Sequence, residues 1–250
     1  MTTERRFYCE QIQLGPLPLS GDESHHARNV LRVRKGDPIV LFDGEGSRAE
    51  AVIETVSRDG VSVVVKRIEE PKQEDRPLPV TVAVAMPKPP RQDALIEKCT
   101  ELGAQAIWAV ATHRSVLRPG VRRMDHWRRI SISAAKQTGQ LYLPEIPAPK
   151  TFEQVLDYFG QFDVIVFGST ESEPQPLLDC LASRPPVTRA LVVIGPEGGF
   201  TPEERAALTK AGALPVSLGR WTLRVETAAT TALGIVAAWI DRSESPTPRR

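Results

Sequence analysis

The chain falls into two patterning regimes separated by a charged, proline-rich seam. In the first, apolar runs are short and closed by turn signals. Pro38 to Phe42 is apolar and ends at Asp43-Gly44, while Ala49 to Val56 and Val61 to Val65 flank Asp59-Gly60, a strong hairpin dipeptide. Several short strands in such a length predict a small β-barrel. One helical interruption is expected near Glu23 to Val33, where His26, Val30 and Val33 recur at helical spacing. The seam, Glu69 to Pro79, carries Pro71, Pro77 and Pro79 among charges, which disfavours both helix and buried strand. The expected division is a first domain over 1–70, a linker over 71–79, a second domain over 80–241 and a disordered tail over 242–250.

After the seam, strands alternate with helices. Val80 to Met86, Ala106 to Ala111, Asp163 to Phe167, Ala190 to Ile194 and Pro215 to Leu218 are short and apolar, as strands of a buried parallel sheet should be. Leu95, Ile96, Cys99 and Leu102 predict one helix face, stopped by Gly103. Trp127, Ile130 and Ala134 predict another. Thr201-Pro-Glu-Glu204 has a capping residue, proline in the first turn and glutamate three residues on, so a helix starts there. The last helix, about Thr227 to Asp241, is apolar or small nearly all round. It must be buried on more than one side, against its own sheet and a second subunit or within one subunit alone.

Composition narrows the class. The 250 residues carry 32 Lys plus Arg against 31 Asp plus Glu, so any nucleic-acid surface must come from local clustering of charge. Apolar runs are too short to span a bilayer and the first residues lack a secretory core, which points to a cytoplasmic, non-membrane protein. Three widely spaced cysteines and four histidines lack ligand spacing, so no metal is expected. Basic residues do cluster. Arg114, Arg118, Arg122, Arg123, Arg128, Arg129 and Lys136 lie near one another in sequence, with Arg129, Ser133 and Lys136 on one helix face. Arg5, Arg6, His25, His26, Arg28, Arg32, Arg34 and Lys35 form a second group. A basic run is often only a solvated face; two in a neutral protein favour a polyanion held through phosphates.

Two stretches could carry chemistry. A buried strand runs into Gly195-Pro-Glu-Gly-Gly199 and then into the capped helix. Ligands of open α/β sheets bind beyond the carboxyl ends of strands, and glycines let backbone approach them. The stretch is a backbone-lined nucleoside pocket or an ordinary strand-to-helix turn. In Leu218 to Ala229, Arg224 and Glu226 stand at the mouth of the last helix, where Glu226 or Thr227 could equally serve as a cap.

Taken in order, His25-His26-Ala-Arg28-Asn-Val-Leu-Arg32, Gly36-Asp37, Lys98-Cys-Thr-Glu101-Leu-Gly103, Ala135-Lys-Gln-Thr-Gly139, Gly195-Pro-Glu-Gly-Gly199 and Leu223-Arg-Val-Glu226-Thr-Ala228 resemble the RsmE family of 16S ribosomal RNA methyltransferases of the SPOUT superfamily. The resemblance runs from Arg6 to Trp239. It implies an α/β fold: a C-terminal SPOUT domain with a trefoil knot, preceded by a PUA-like β-barrel that grips RNA. It also implies S-adenosylmethionine as cofactor, a homodimer with active sites at the subunit interface, and methylation of N3 of a specific uridine in 16S rRNA of the small ribosomal subunit. Ile194, Gly195, Glu197, Gly198, Leu218, Gly219, Leu223, Arg224 and Thr227 would bind the cofactor. Arg6, His26, Arg28, Arg32, Arg114 and Arg129 would bind RNA. Arg224 and Glu226 would be catalytic, Arg224 favouring the uracil N3 anion and Glu226 accepting the proton or fixing Arg224. The chain departs from the family where it reads Pro87-Lys-Pro-Pro-Arg91 and Gly219-Arg-Trp-Thr222. Alternatives are a non-catalytic RNA-binding assembly factor, a relative acting on ribose 2′-OH or another base, and a small-molecule enzyme using the glycine loop for phosphate.

Overall fold

A computed structural model describes residues 4–72, 76–115, 121–170, 174–185 and 188–244. Arg118 of the expected basic cluster, the Arg122 side chain and residues 245–250 of the expected tail lie outside the described residues. The chain forms two units. The first comprises Met1–Arg76 with Ala135–Leu143, the second Pro77–Ala134 with Pro144–Arg250. The segment 135–143, read from sequence as part of the second domain, thus packs with the first.

The first unit holds β1 (Arg6–Tyr8), β2 (Gly15–Pro18), α1 (Gly21–His25), β3 (Pro38–Phe42), β4 (Arg48–Val56) and β5 (Val61–Glu69). Its five strands pair in the order β1-β3-β4-β5-β2, the short strands expected of the small β-barrel. Ala49, Ala51 and Ile53 of β4 and Val61, Val63 and Val65 of β5 turn inward at alternate positions and are buried with Phe7, Ile39 and Leu41. Helix α1 starts where Ser20 Oγ accepts from Glu23 N (3.3 Å) and gives way to a wide π turn over His26–Val30. That wider turn breaks the expected spacing: Ala27 and Val33 are buried, whereas Val30 is 62% exposed. The returning segment 135–143 is stitched in by Leu143 N donating to Gly44 O (2.9 Å) and by Arg6 Nη1 donating to Gly139 O (2.6 Å). Lys136 closes a nearly buried ion pair with Glu23 at 2.9 Å.

The second unit is a sheet of β6 (Leu78–Val84), β7 (Ala104–Ala111), β8 (Lys150–Thr151), β9 (Val164–Gly168), β10 (Gln175–Pro176), β11 (Ala190–Ile194) and β12 (Leu214–Ser217). They pair in the order β10-β12-β9-β11-β6-β7-β8, every pair parallel. Parallel strands must be covered on both faces, and two separate cores show that they are. Val80, Val82, Val84 and Val192 pack on one side, where the cover comes from α2 (Arg91–Glu101), α5 (Leu177–Ala182) and α7 (Val225–Glu244). Ala83, Leu191 and Val193 pack on the other with Trp108, Phe152 of α4 (Phe152–Asp157) and Leu208 of α6 (Pro202–Lys210). Trp127 of α3 (Val121–Thr138) is buried in the first of these cores.

Local expectations meet three corrections here. Strand β6 begins at Leu78, inside the expected linker, with Pro79 where the pairing register to β7 is irregular. Leu102 is the C-cap of α2 and 38% exposed, so only Leu95, Ile96 and Cys99 of that stripe are buried; Gly103 takes the left-handed stop at φ +75°. Helix α7 continues through Arg242 to Glu244 into the expected tail, since no helix breaker precedes Pro246.

Candidate functional site

The carboxyl ends of β9, β11 and β12 lie side by side, and a cavity of about 620 Å3 opens there. Both stretches singled out in the sequence line it. From the loop after β11 come Gly195, Glu197 and Gly198; from the loop between β12 and α7 come Gly219, Leu223 and Arg224; Ile194 and Leu218 form apolar walls where the strands end. Gly168 to Thr170 after β9 complete the lining, a segment the sequence reading passed over because it bears no motif. Thr227 and Glu226 do not line it: Thr227 is exposed one turn into α7.

Glycine is needed in the β11 loop for a stated reason. A Cβ on Gly195 would stand 3.0 Å from the Phe200 ring, which is buried beneath the loop. At Gly199 φ is +69°, and its N–H closes a turn on Pro196 O at 2.8 Å. The turn delivers the chain into α6, whose first turn is a reciprocal cap. Thr201 Oγ1 accepts from Glu204 N (3.2 Å), and Glu204 Oε2 accepts from Thr201 N (2.8 Å). The other Glu204 oxygen accepts from His113 N at 2.8 Å, tying the loop after β7 to the same helix start.

Two arginines brace the loop after β11, Arg205 from within the cavity lining and Arg114 from beside it. Arg114 Nη1 donates to Gly198 O at 2.7 Å, and Arg205 Nη1 donates to Phe200 O at 2.6 Å. Arg91, at the start of α2, was not singled out in the sequence. Its guanidinium lies 3.2 Å from Glu197 Oε1 and 3.9 Å from Glu226 Oε2, so one side chain spans the glycine loop and the head of α7. Glu226 Oε2 is buried without a hydrogen bond among the described residues. No ion pair joins Glu226 to Arg224 among the described residues, so the expected fixing of Arg224 by Glu226 is replaced by a pair with Arg91. Arg224 is exposed at the cavity wall. The signal for Arg91 was positional: it follows the end of a central parallel strand.

The arginines and histidine expected to touch RNA divide by environment. Arg6 bonds Gly139 O and pairs with Glu4 at 2.8 Å; Arg28 Nη1 donates to Ser57 O (3.0 Å) and Arg58 O (2.8 Å). His26 packs edge-on against Phe7 with ring centroids 6.2 Å apart, and burial, followed by the Lys136 charge, lowers its pKa below the ordinary 6.5. Arg114 serves the glycine loop, as described. Arg32 and Arg129 are exposed, Arg32 with its backbone at φ +50°. Lys136, placed by sequence on one helix face with Arg129 in a basic cluster favouring a polyanion, is instead bound to Glu23. No cluster of His, Cys, Asp or Glu able to hold a metal ion occurs among the described residues.

This combination of units and cavity has relatives. Residues 74–237 match the family model of an RNA methyltransferase domain, and residues 19–66 that of an RNA methyltransferase PUA domain. Ribosomal RNA small subunit methyltransferase E of Mycobacterium bovis is 36% identical over 90% of this chain and 87% of its own. Its namesake from Synechocystis is 33% identical over 93% of this chain and 76% of its own. A Legionella pneumophila methyltransferase solved in complex with SAM superposes with a TM-score of 0.84 at 30% identity, covering 94% of this chain and 97% of that one. Ribosomal RNA small subunit methyltransferase E from Neisseria gonorrhoeae, bound to S-adenosyl methionine, gives 0.81 at 27% identity over 94% and 97%.

Proposed function

We propose a specific reaction for this chain, which belongs to the ribosomal RNA small subunit methyltransferase E family: methylation of N3 of one uridine in 16S rRNA. As a member it is an S-adenosylmethionine-dependent ribosomal RNA methyltransferase. The base, the atom and the residues are the proposal, and the observation that carries it is the convergence of the glycine loop and the Arg224 loop on one cavity.

The residues fit the cofactor. About 620 Å3 lies within the usual range for small-ligand sites, roughly 300–1,000 Å3. Ile194, Leu218 and Leu223 offer apolar walls to a flat adenine, and glycine backbone supplies polar partners at close approach. Glu197 offers a carboxylate to a cationic ligand. S-adenosylmethionine, when bound, supplies the electrophilic methyl group. The chain does the rest. Alignment of two reactants is worth about 7–11 kcal/mol, more than the roughly 10²–10⁴-fold of a general base, so a rigid cavity matters most. Arg224 places positive charge toward the uracil carbonyl oxygens and favours the N3 anion. Glu226 lies outside the cavity lining, with Oε2 buried and faced by Arg91 at 3.9 Å. Its role in this reading is to fix, through Arg91, the head of α7 next to Arg224 rather than to touch the base.

The first domain, over 1–70, is assigned to RNA with Arg32 as a phosphate contact, and Arg129 of α3 is assigned as a second phosphate contact. A homodimer belongs to the same reading. Thr231, Gly234 and Ala238 leave a half-open strip of small side chains along α7 that a second copy would cover. So do the trefoil knot, the context of the small ribosomal subunit and a cytoplasmic location; no described helix is long and apolar enough to cross a membrane.

Single-turnover methylation of small-subunit RNA with saturating cofactor tests the reading. Arg224→Ala and Glu226→Gln should each slow transfer at least tenfold, and digestion of the wild-type product should release 3-methyluridine. Wild-type rates in both variants remove the residue roles; a 2′-O-methylated nucleoside removes the N3 assignment.

A further inference from the structure

Trp221 is 74% exposed, whereas Trp108 is 8% exposed and Trp127 fully buried. A large indole left in water is unusual unless something covers it. It stands on the rim of the cavity, in the loop between β12 and α7, with Arg220 and Thr222 beside it in the lining. The Arg220 guanidinium lies over the indole at 5.2 Å from the ring centroid. A cation on one face leaves a flat, electron-rich surface whose other face meets solvent.

The substrate supplies the matching chemistry. N3 is a pairing atom of uracil, so the target must leave its stack, and its neighbours lose a stacking partner with it. Unpaired bases are held in proteins by aromatic side chains and arginine planes, independently of hydrogen-bond readout. We propose that Trp221, backed by Arg220, is a stacking platform for an unpaired base flanking the target uridine. The platform rests on the RNA-methyltransferase reading and adds to it a substrate-binding element at the cavity mouth. The rim position argues for a flanking base: the target itself must go deeper, to Arg224. The positive charge at the platform suits the phosphates on either side of that base.

The experiment titrates the full-length protein with a single-stranded RNA oligonucleotide carrying the target uridine and its flanks. Intrinsic tryptophan fluorescence should be quenched on binding, and Trp221→Phe should abolish most of that quenching while retaining affinity within a few-fold. Trp221→Ala and Trp221→Leu should both weaken RNA binding by about 5- to 150-fold, the range for losing one stacked base. In methylation assays the loss should fall on KM for RNA more than on kcat. Thermal melting followed by circular dichroism confirms that the variants fold. Trp221→Ala with wild-type RNA affinity, or Trp221→Leu equal to Trp221→Phe, overturns the platform. So does a switch from dimer to monomer in sedimentation with RNA affinity unchanged, because Trp221 would then face a second copy. If the wild-type protein transfers no label from S-adenosylmethionine to RNA, the N3 reading fails, while the binding and quenching arms still decide on the platform.

Discussion

Arg91 shows how much one side chain can organise. Its guanidinium carries five donors in a planar fork and can face two carboxylates at once, whereas lysine offers a single point charge. Here those carboxylates are Glu197 of the glycine loop and Glu226 of the last helix. Removing the cation would leave Glu226 Oε2 buried without any partner. We expect Arg91→Ala to lower single-turnover methylation on the order of 10²-fold, the cost of small misplacements near reacting atoms. The loss should appear in kcat rather than in KM for RNA, and Arg91→Lys should restore part of it. Equal rates in wild type and Arg91→Ala would show the pair to be ornamental. The sequence contained Arg91 in plain view, but an arginine opening a helix looks like any solvated charge. Glu226 was legible as a candidate, but its partner was misread, because which cation reaches a carboxylate depends on elements distant in the chain.

At the scale of elements, local signals served well where the physics is local. The Thr201 cap, Pro202 in the first turn and the Glu204 return bond are all set within a few residues, and the structure has each of them. Gly103 likewise ends α2 as read. Thr201→Ala should lower stability by about 1 kcal/mol for the lost cap. Because Glu204 also receives His113 N, the variant should in addition loosen the loop after β7. Urea unfolding measures the first effect and amide exchange at His113 the second; an unchanged midpoint would mean the cap is dispensable. Helix α7 departed from expectation in extent, running to Glu244. Its buried positions, Val225, Ala229, Ala232, Leu233, Val236, Ala237 and Ile240, fall on one broad face, although apolar and small residues occupy most of the others. The π turn over His26–Val30 after α1 had no signature in the sequence reading, which took helical spacing through Val33.

Across the whole molecule the charge is near balance, so RNA affinity depends on which cations remain available. Arg6, Arg28, Arg114 and Lys136 are engaged with carbonyls or carboxylates, while Arg32 and Arg129 are exposed. Each phosphate neutralised contributes about 0.7–0.9 to the slope of log K against log salt. Filter binding at several salt concentrations should therefore show Arg32→Ala and Arg129→Ala each reducing that slope by about one unit or slightly less. Arg28→Ala should instead act on folding, through its bonds to Ser57 O and Arg58 O. Identical slopes for all three variants would count against the assignment. The sequence by itself determined the longer strands and helices, the glycine stop at Gly103 and the Thr201 cap, since these depend on side-chain period and hydrogen bonds closing within a few residues. The short β1, β2, β8, β10, α4 and α5 carried too little pattern to be read. The sequence also located two of the loops that line the cavity, but not the third, at the end of β9. Only the tertiary structure decided that the ends of β9, β11 and β12 stand together, that Arg91 reaches both carboxylates, and which basic residues stay open to solvent. Strand order in a parallel sheet and the partner of a charge are set by long-range packing, and no window along the chain contains both sides of such a contact.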